Sequence, residues 1–213
     1  MLGLELPTLV STVITLVIAF TVHEFAHAWS ADLLGDDTPR RYGRLTLNPL
    51  VHLDPLGSLL LIIGGFGWAK PVPINPSALQ RRTPAGTMLV SAAGPLSNLG
   101  LAIVASLPFQ TGLLDLSAAS GRFLPSPAGF LVQFIFINLI LLFFNLIPIA
   151  PLDGDKVAEF FLPPAGQEVL LRIRPYGPVI LLASILILPR FGINILELLV
   201  AAPARQIASI LIL

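Results

Sequence analysis

Long apolar runs separated by short polar stretches dominate the chain. The first runs from Leu6 to Leu34 and is closed by Asp32, Gly35, Asp36 and Asp37. A second covers Thr83–Phe109 and a third Phe130–Ile149. Each is near or above the roughly 20 residues that a helix needs to cross the hydrocarbon core of a bilayer. Leu56–Phe66 is also apolar but only about a dozen residues long, which predicts a re-entrant or interfacial element rather than a span. In the sequence FGWAKPVPIN that follows, Phe66–Asn75, Pro71 and Pro73 exclude helix and suit an extended edge strand. After a more polar stretch, Asp155–Tyr176, the chain is apolar from Pro178 to Leu213 with a break at Pro189-Arg190. That last part reads equally as one tilted span with an interfacial tail or as two short spans.

The pattern predicts an all-α polytopic membrane protein. About four to six transmembrane helices are expected, with a short re-entrant or β-like segment after the first span. Residues 1–213 are expected to form a single integral-membrane domain. Composition agrees: of 213 residues, 55% are hydrophobic and 11% charged, against about 25% charged in soluble domains. The formal net charge is zero, so no basic surface argues for nucleic acid. With no cysteine, disulfides, thiolate zinc sites and cysteine nucleophiles are excluded. No positive region and no small-residue cleavage site precede the first apolar run, so it is not expected to be a cleaved signal peptide.

Charge placement predicts orientation. Arg40, Arg41, Arg44, Lys70, Arg81 and Arg82 lie between the first and second spans. Lys156, Arg172 and Arg174 follow the third, and the loop between the second and third holds only Arg122. The positive-inside rule then makes the first two segments cytoplasmic and the third external, with the N-terminus outside. The inner ends of the first and third spans fall at similar depth near the cytoplasmic face, in a cell-membrane, multi-pass protein.

That depth carries the chemistry. HEFAH, His23–His27, lies in the second half of the first apolar run. Residues four apart share a helix face, so His23 and His27 can present two ring nitrogens to one Zn²⁺. Glu24 is turned about 100° from His23, beside the metal, where it can act as general base toward zinc-activated water. Ionisable groups inside an apolar segment are costly and mark a functional site. Catalytic zinc takes three protein ligands and keeps a place for water. Asp153, at the inner end of the third span in a segment broken by Pro148 and Pro151, is the favoured third ligand; its alternative is a helix cap. His52, in NPLVHLDPLG, is the rival ligand or a loop brace, and Asp54 braces the same loop. Asn98 reads as a helix-to-helix hydrogen bond. Asn145, about two turns before Asp153, reads as such a bond or as a donor to a developing oxyanion.

HEFAH, then AGPLSN at Ala93–Asn98, then NLIPIAPLDG at Asn145–Gly154 resemble the site-2 protease family of intramembrane zinc metalloproteases. NPLVHLDPLG and GWAKPVPIN resemble its compact bacterial and archaeal branch, which lacks a PDZ insert. The motifs cover roughly residues 20–155, and the resemblance implies a three-helix catalytic core within the four to six transmembrane helices. The resemblance implies His23, His27 and Asp153 as ligands of one Zn²⁺ per chain, Glu24 as base and a role near the metal for Asn145. It implies hydrolysis of peptide bonds within or near transmembrane segments, with transmembrane or signal-peptide-like proteins as substrates in the lipid bilayer. A substrate helix must unwind to expose its peptide bonds, and the extended segment at Trp68, Lys70, Pro71 and Val72 could bind it by strand addition or could only close the fold. Two alternatives use the same residues: a metal-dependent membrane transport or binding protein, and a catalytically silent scaffold.

Overall fold

A computed structural model of the chain describes residues 5–57, 60, 67–115 and 124–213. Helix α1, Leu6–Leu33, carries Pro7 in its first turn, where a missing N–H costs no bond. It ends where Gly35 turns the chain at φ +89°. Its buried face is a stripe at every fourth position: Ser11, Thr15, Ala19, His23, His27 and Ala31. Small side chains along that stripe let neighbouring helices approach closely, and the two histidines of the motif continue it.

Short helices α2, Thr38–Arg41, and α3, Pro49–His52, follow on the polar side. Asp54 accepts the N–H of Gly57 at 2.8 Å, the loop brace anticipated for it. Most of the expected re-entrant stretch Leu56–Phe66 lies outside the described residues. Residues 67–75 are extended, and an isolated antiparallel bridge joins Ala69 to Leu53. Among the described residues there is no longer β element.

Helix α4, Pro76–Arg82, is capped by Asn75, whose side chain accepts from Ser77 and Ala78. Helix α5, Gly86–Gln110, keeps Pro95 and Pro108 within it. Helix α6, Pro127–Asn145, starts at a Ser126 cap that accepts the Gly129 N–H at 3.0 Å. Helices α1, α5 and α6 pack pairwise against one another and form the core. Phe134, Ile135, Leu139 and Leu142 of α6 meet Ala102 and Ala105 of α5 there.

Span ends shift from the sequence expectation by a few residues, and two of the shifts have a visible cause or consequence. The third span stops at Asn145 rather than Ile149, because Pro148 and Pro151 follow and cannot continue a hydrogen-bonded helix. Helix α7, Asp153–Phe161, then begins at Asp153 itself. In the C-terminal part, α8, Pro164–Ile173, a 3₁₀ turn at Arg174–Tyr176 and α9, Gly177–Leu186, run on as one 23-residue apolar stretch. It begins before the expected Pro178. Beyond Pro189 the chain forms a short 3₁₀ turn, a π-helical turn and α10, Ala202–Ile212. Ala204 and Ala208 of α10 close against the α5–α6 core. Four helices among the described residues are long and apolar enough to cross a membrane. The protein is an all-α polytopic membrane protein.

Candidate metal centre

The i, i+4 spacing on α1 places the rings of His23 and His27 edge to face, with centroids 4.6 Å apart. The other nitrogen of each ring is already committed. His23 Nδ1 donates to Asn98 Oδ1 at 2.7 Å, and His27 Nδ1 donates to the carbonyl of Val90 at 2.7 Å. Both acceptors are on α5. With each Nδ1 carrying the proton, each Nε2 presents a lone pair inward.

Asp153 reaches these nitrogens from the far side. The Pro-broken turn after α6 brings α7 under α5, and Asp153, in the first turn of α7, caps nothing. Its Oδ2 lies 3.1 Å from His23 Nε2 and 3.3 Å from His27 Nε2. The two Nε2 atoms are 3.0 Å apart. Three acceptors thus converge with no donor among them, an arrangement that repels itself unless a cation lies between.

The dimensions fit such a cation. Tetrahedral zinc with bonds of about 2.0–2.1 Å separates its ligand atoms by about 3.3 Å, close to the triangle observed. Gly94 opens the space: a Cβ there would lie 2.6 Å from His23 Nε2 and would also overlap the His27 ring. The glycine of AGPLSN is therefore required by the close approach of α5 to both histidines.

Glu24 is 8% exposed, beside these ligands on α1. Its Oε2 accepts the backbone N–H of Val72 at 3.1 Å, so the extended segment touches the site through a main-chain group. Lys70 N–H donates to the His52 carbonyl at 2.7 Å, and the carbonyls of Lys70 and Pro71 accept from Arg44 at 2.5 Å each. Trp68 is exposed. Asn145 is the last residue of α6, and its Nδ2 donates to Leu141 at 2.9 Å within its own helix.

His52 stands apart from the cluster of His23, His27 and Asp153. It is fully buried and its Nε2 contacts the Thr46 carbonyl at 2.7 Å, so it braces its loop. Asn98 makes the expected helix-to-helix bond, but two of them: besides His23 it donates to Asn138 Oδ1 at 3.0 Å. Asn138, buried in α6, was not singled out from sequence, nor were the Val90 carbonyl and Arg44. The one local signal was an amide inside an apolar helix, as at Asn98.

No family model matches the chain, and no solved structure matches it. Curated relatives do. The chain is 44% identical over 175 residues to the "Putative zinc metalloprotease YwhC" of Bacillus subtilis, covering 80% of this chain and 77% of that one. It is 34% identical over 180 residues to the "Putative zinc metalloprotease Rip2" of Mycolicibacterium smegmatis and 32% identical over 182 residues to that of Mycobacterium tuberculosis. Each Rip2 alignment covers 80% of this chain but spans only 64% of the relative. These names and the His23–His27–Asp153 donor set together make zinc the cofactor. The chain belongs to the site-2 protease-like family of zinc metalloproteases.

Proposed function

We propose that this protein is an intramembrane zinc endopeptidase that hydrolyses peptide bonds within or near transmembrane segments, with Glu24 as general base. The observation that carries the reading is the convergence of His23, His27 and Asp153 within 4.8 Å of one another, with buried Glu24 beside them, on a helix of membrane-spanning length.

His23, His27 and Asp153 would hold the metal. Zinc held there supplies a Lewis acid that polarises the scissile carbonyl and lowers the pKa of water toward about 7. Glu24 takes the proton of the attacking water and returns it to the leaving amine. Its carboxylate is held on one side by Val72 N–H, and the other oxygen serves the proton transfer. Asn145 has a second amide hydrogen beyond the one given to Leu141, and in this reading it donates to the oxyanion.

Substrates are transmembrane or signal-peptide-like proteins met in the plane of the cell membrane. The distribution of Arg and Lys supports an external N-terminus and a site near the cytoplasmic face, from which water must enter. The extended segment around Trp68, Lys70, Pro71 and Val72 binds the unwound substrate. Lys70 and Val72 spend their N–H groups inward on His52 and Glu24, and Pro71 and Pro73 have none. The Ala69–Leu53 bridge, with Lys70 N–H on the His52 carbonyl, points the Ala69 N–H and C=O away from Leu53. A substrate strand would therefore pair first with Ala69.

Glu24→Gln tests the reading in detergent with a transmembrane substrate of defined sequence. Cleavage should be lost and zinc retained. Wild-type cleavage by the variant would remove Glu24 as base. A zinc-loaded wild-type chain that cuts none of a varied substrate set would remove the protease reading.

A further inference from the structure

Arg44 is 3% exposed, yet among the described residues no carboxylate lies within ion-pair distance of it. Its guanidinium is spent on main-chain carbonyls instead. Nη1 donates to Val51, and Nη2 donates to both Lys70 and Pro71, each at 2.5 Å. It thereby ties the extended segment, residues 67–75, to the loop that carries α3. Burying a cation is expensive, and the Glu24 carboxylate, beyond ion-pair distance, is still near enough to favour its charge. The planar fork of arginine holds several acceptors in a fixed geometry, which the rotatable donors of an ammonium do not.

What this grip controls is register. The segment crosses Glu24 at Pro71-Val72-Pro73. Prolines have no N–H, so within this triplet only Val72 can donate to the Glu24 carboxylate. A slip of one residue in either direction would put a proline opposite it. Arg44 holds the two carbonyls immediately before Val72. Downstream, Asn75 N–H is fixed by Asp36 Oδ2 at 2.6 Å.

We propose that Arg44 is a positioning residue for the general base: it sets the register of the extended segment so that Val72 N–H meets Glu24 Oε2 and holds that carboxylate in one orientation. The inference rests on the reading of Glu24 as base. A backbone amide does not swing as a side chain does, so it preorganises the carboxylate at no cost in the reaction itself. None of the three metal ligands takes part in the device, so zinc content is independent of it.

The test measures kcat, KM and zinc content of the full chain in detergent, with a defined transmembrane substrate. Val72→Pro deletes the one N–H and suits the extended backbone between two prolines. It should lower kcat about tenfold or more, the scale of a lost hydrogen bond to a charged group, over and above any change in KM from the substrate-binding segment, with zinc unchanged. Arg44→Lys, which keeps the charge but loses the fork, should lower kcat similarly, and on the Val72→Pro background it should cost nothing further. Arg44→Gln, which removes the charge as well, should cost at least as much. Wild-type kcat in Val72→Pro, losses that multiply in the double variant, or loss of zinc in place of kcat would overturn the proposal. Glu24→Gln run alongside separates the two readings: if it still cleaves, the base assignment fails first; if it is inactive while Val72→Pro is normal, only the positioning role fails.

Discussion

His23 Nδ1 lies 2.7 Å from Asn98 Oδ1, and the direction of that bond is decided on a third helix. Asn138 Nδ2 donates to the Phe134 carbonyl of its own helix at 2.9 Å, which turns its Oδ1 toward Asn98. Asn98 donates there through Nδ2 at 3.0 Å, which turns its own Oδ1 toward His23. Each amide has its acceptor end fixed by where its donor end is used. The relay across α6, α5 and α1 therefore imposes the tautomer in which His23 Nε2 is a lone-pair donor to metal.

Asn98→Leu should weaken zinc binding about 10- to 100-fold, the usual scale for losing a bond behind a metal-bound histidine. Asn138→Leu should cause a smaller loss, since Asn98 can still accept from His23 once free to turn. Competition with a chromophoric chelator reads both. Unchanged affinity in Asn98→Leu would mean that the tautomer is set elsewhere.

Gly94→Ala should cost more than a cavity-neutral change in a helix. The new methyl would stand against both imidazoles, and overpacking of this kind costs about 1–3 kcal/mol even where no ligand is displaced. Zinc content and cleavage should fall together while the helical circular dichroism stays. Full zinc in Gly94→Ala would show that the rings move aside freely.

Asp153→Ala and His52→Ala should separate cleanly. The first removes the third corner of the triangle and should abolish stoichiometric zinc. The second should keep zinc, because His52 contacts Thr46 and not the cluster. It should still lower thermal stability by about 1–3 kcal/mol, the cost of unmaking a buried hydrogen bond. Zinc analysis with thermal unfolding decides; full occupancy in Asp153→Ala would remove Asp153 as third ligand and return His52 to contention.

Stripping the metal should reveal the repulsion among His23 Nε2, His27 Nε2 and Asp153 Oδ2. Chelation should abolish cleavage and lower the unfolding midpoint, and added zinc should restore both. Binding to the folded state alone at 100 times Kd stabilises by about 2.7 kcal/mol. An unfolding midpoint indifferent to zinc would contradict a site built by the fold.

Substrate unwinding gives a further expectation. If the peptide bond must leave its helix before attack, helix-breaking residues near the cleavage point should raise the rate, and a stiffened polyleucine span should be cut slowly. Equal rates on the two substrates would show that unwinding does not limit the reaction.

Much of this was legible along the chain because it depends on local period and length. Apolar runs long enough for a bilayer located the first three spans. The i, i+4 histidines of HEFAH share a helix face wherever that helix sits. The prolines around LDG marked a break that frees Asp153. The ends of elements were less legible. Asn145 closes the third span early, and α8 runs on through the 3₁₀ turn at Arg174–Tyr176 into α9, so that Arg172 and Arg174 interrupt the apolar pattern without ending the helical stretch.

The sequence by itself determined the membrane class, the pairing of His23 and His27 on one helix face and the Pro-broken turn that frees Asp153, since spacing, hydropathy and backbone chemistry act over a few residues at a time. Only the tertiary structure decided which groups stand behind and beside the ligands. The Val90 carbonyl, the Asn98–Asn138 relay, the Val72 amide on Glu24 and the Arg44 clamp all join residues far apart in the chain. A buried polar group must find a partner, but a hydropathy pattern shows only that the group is buried. Which partner it finds is set by how the helices and the extended segment pack.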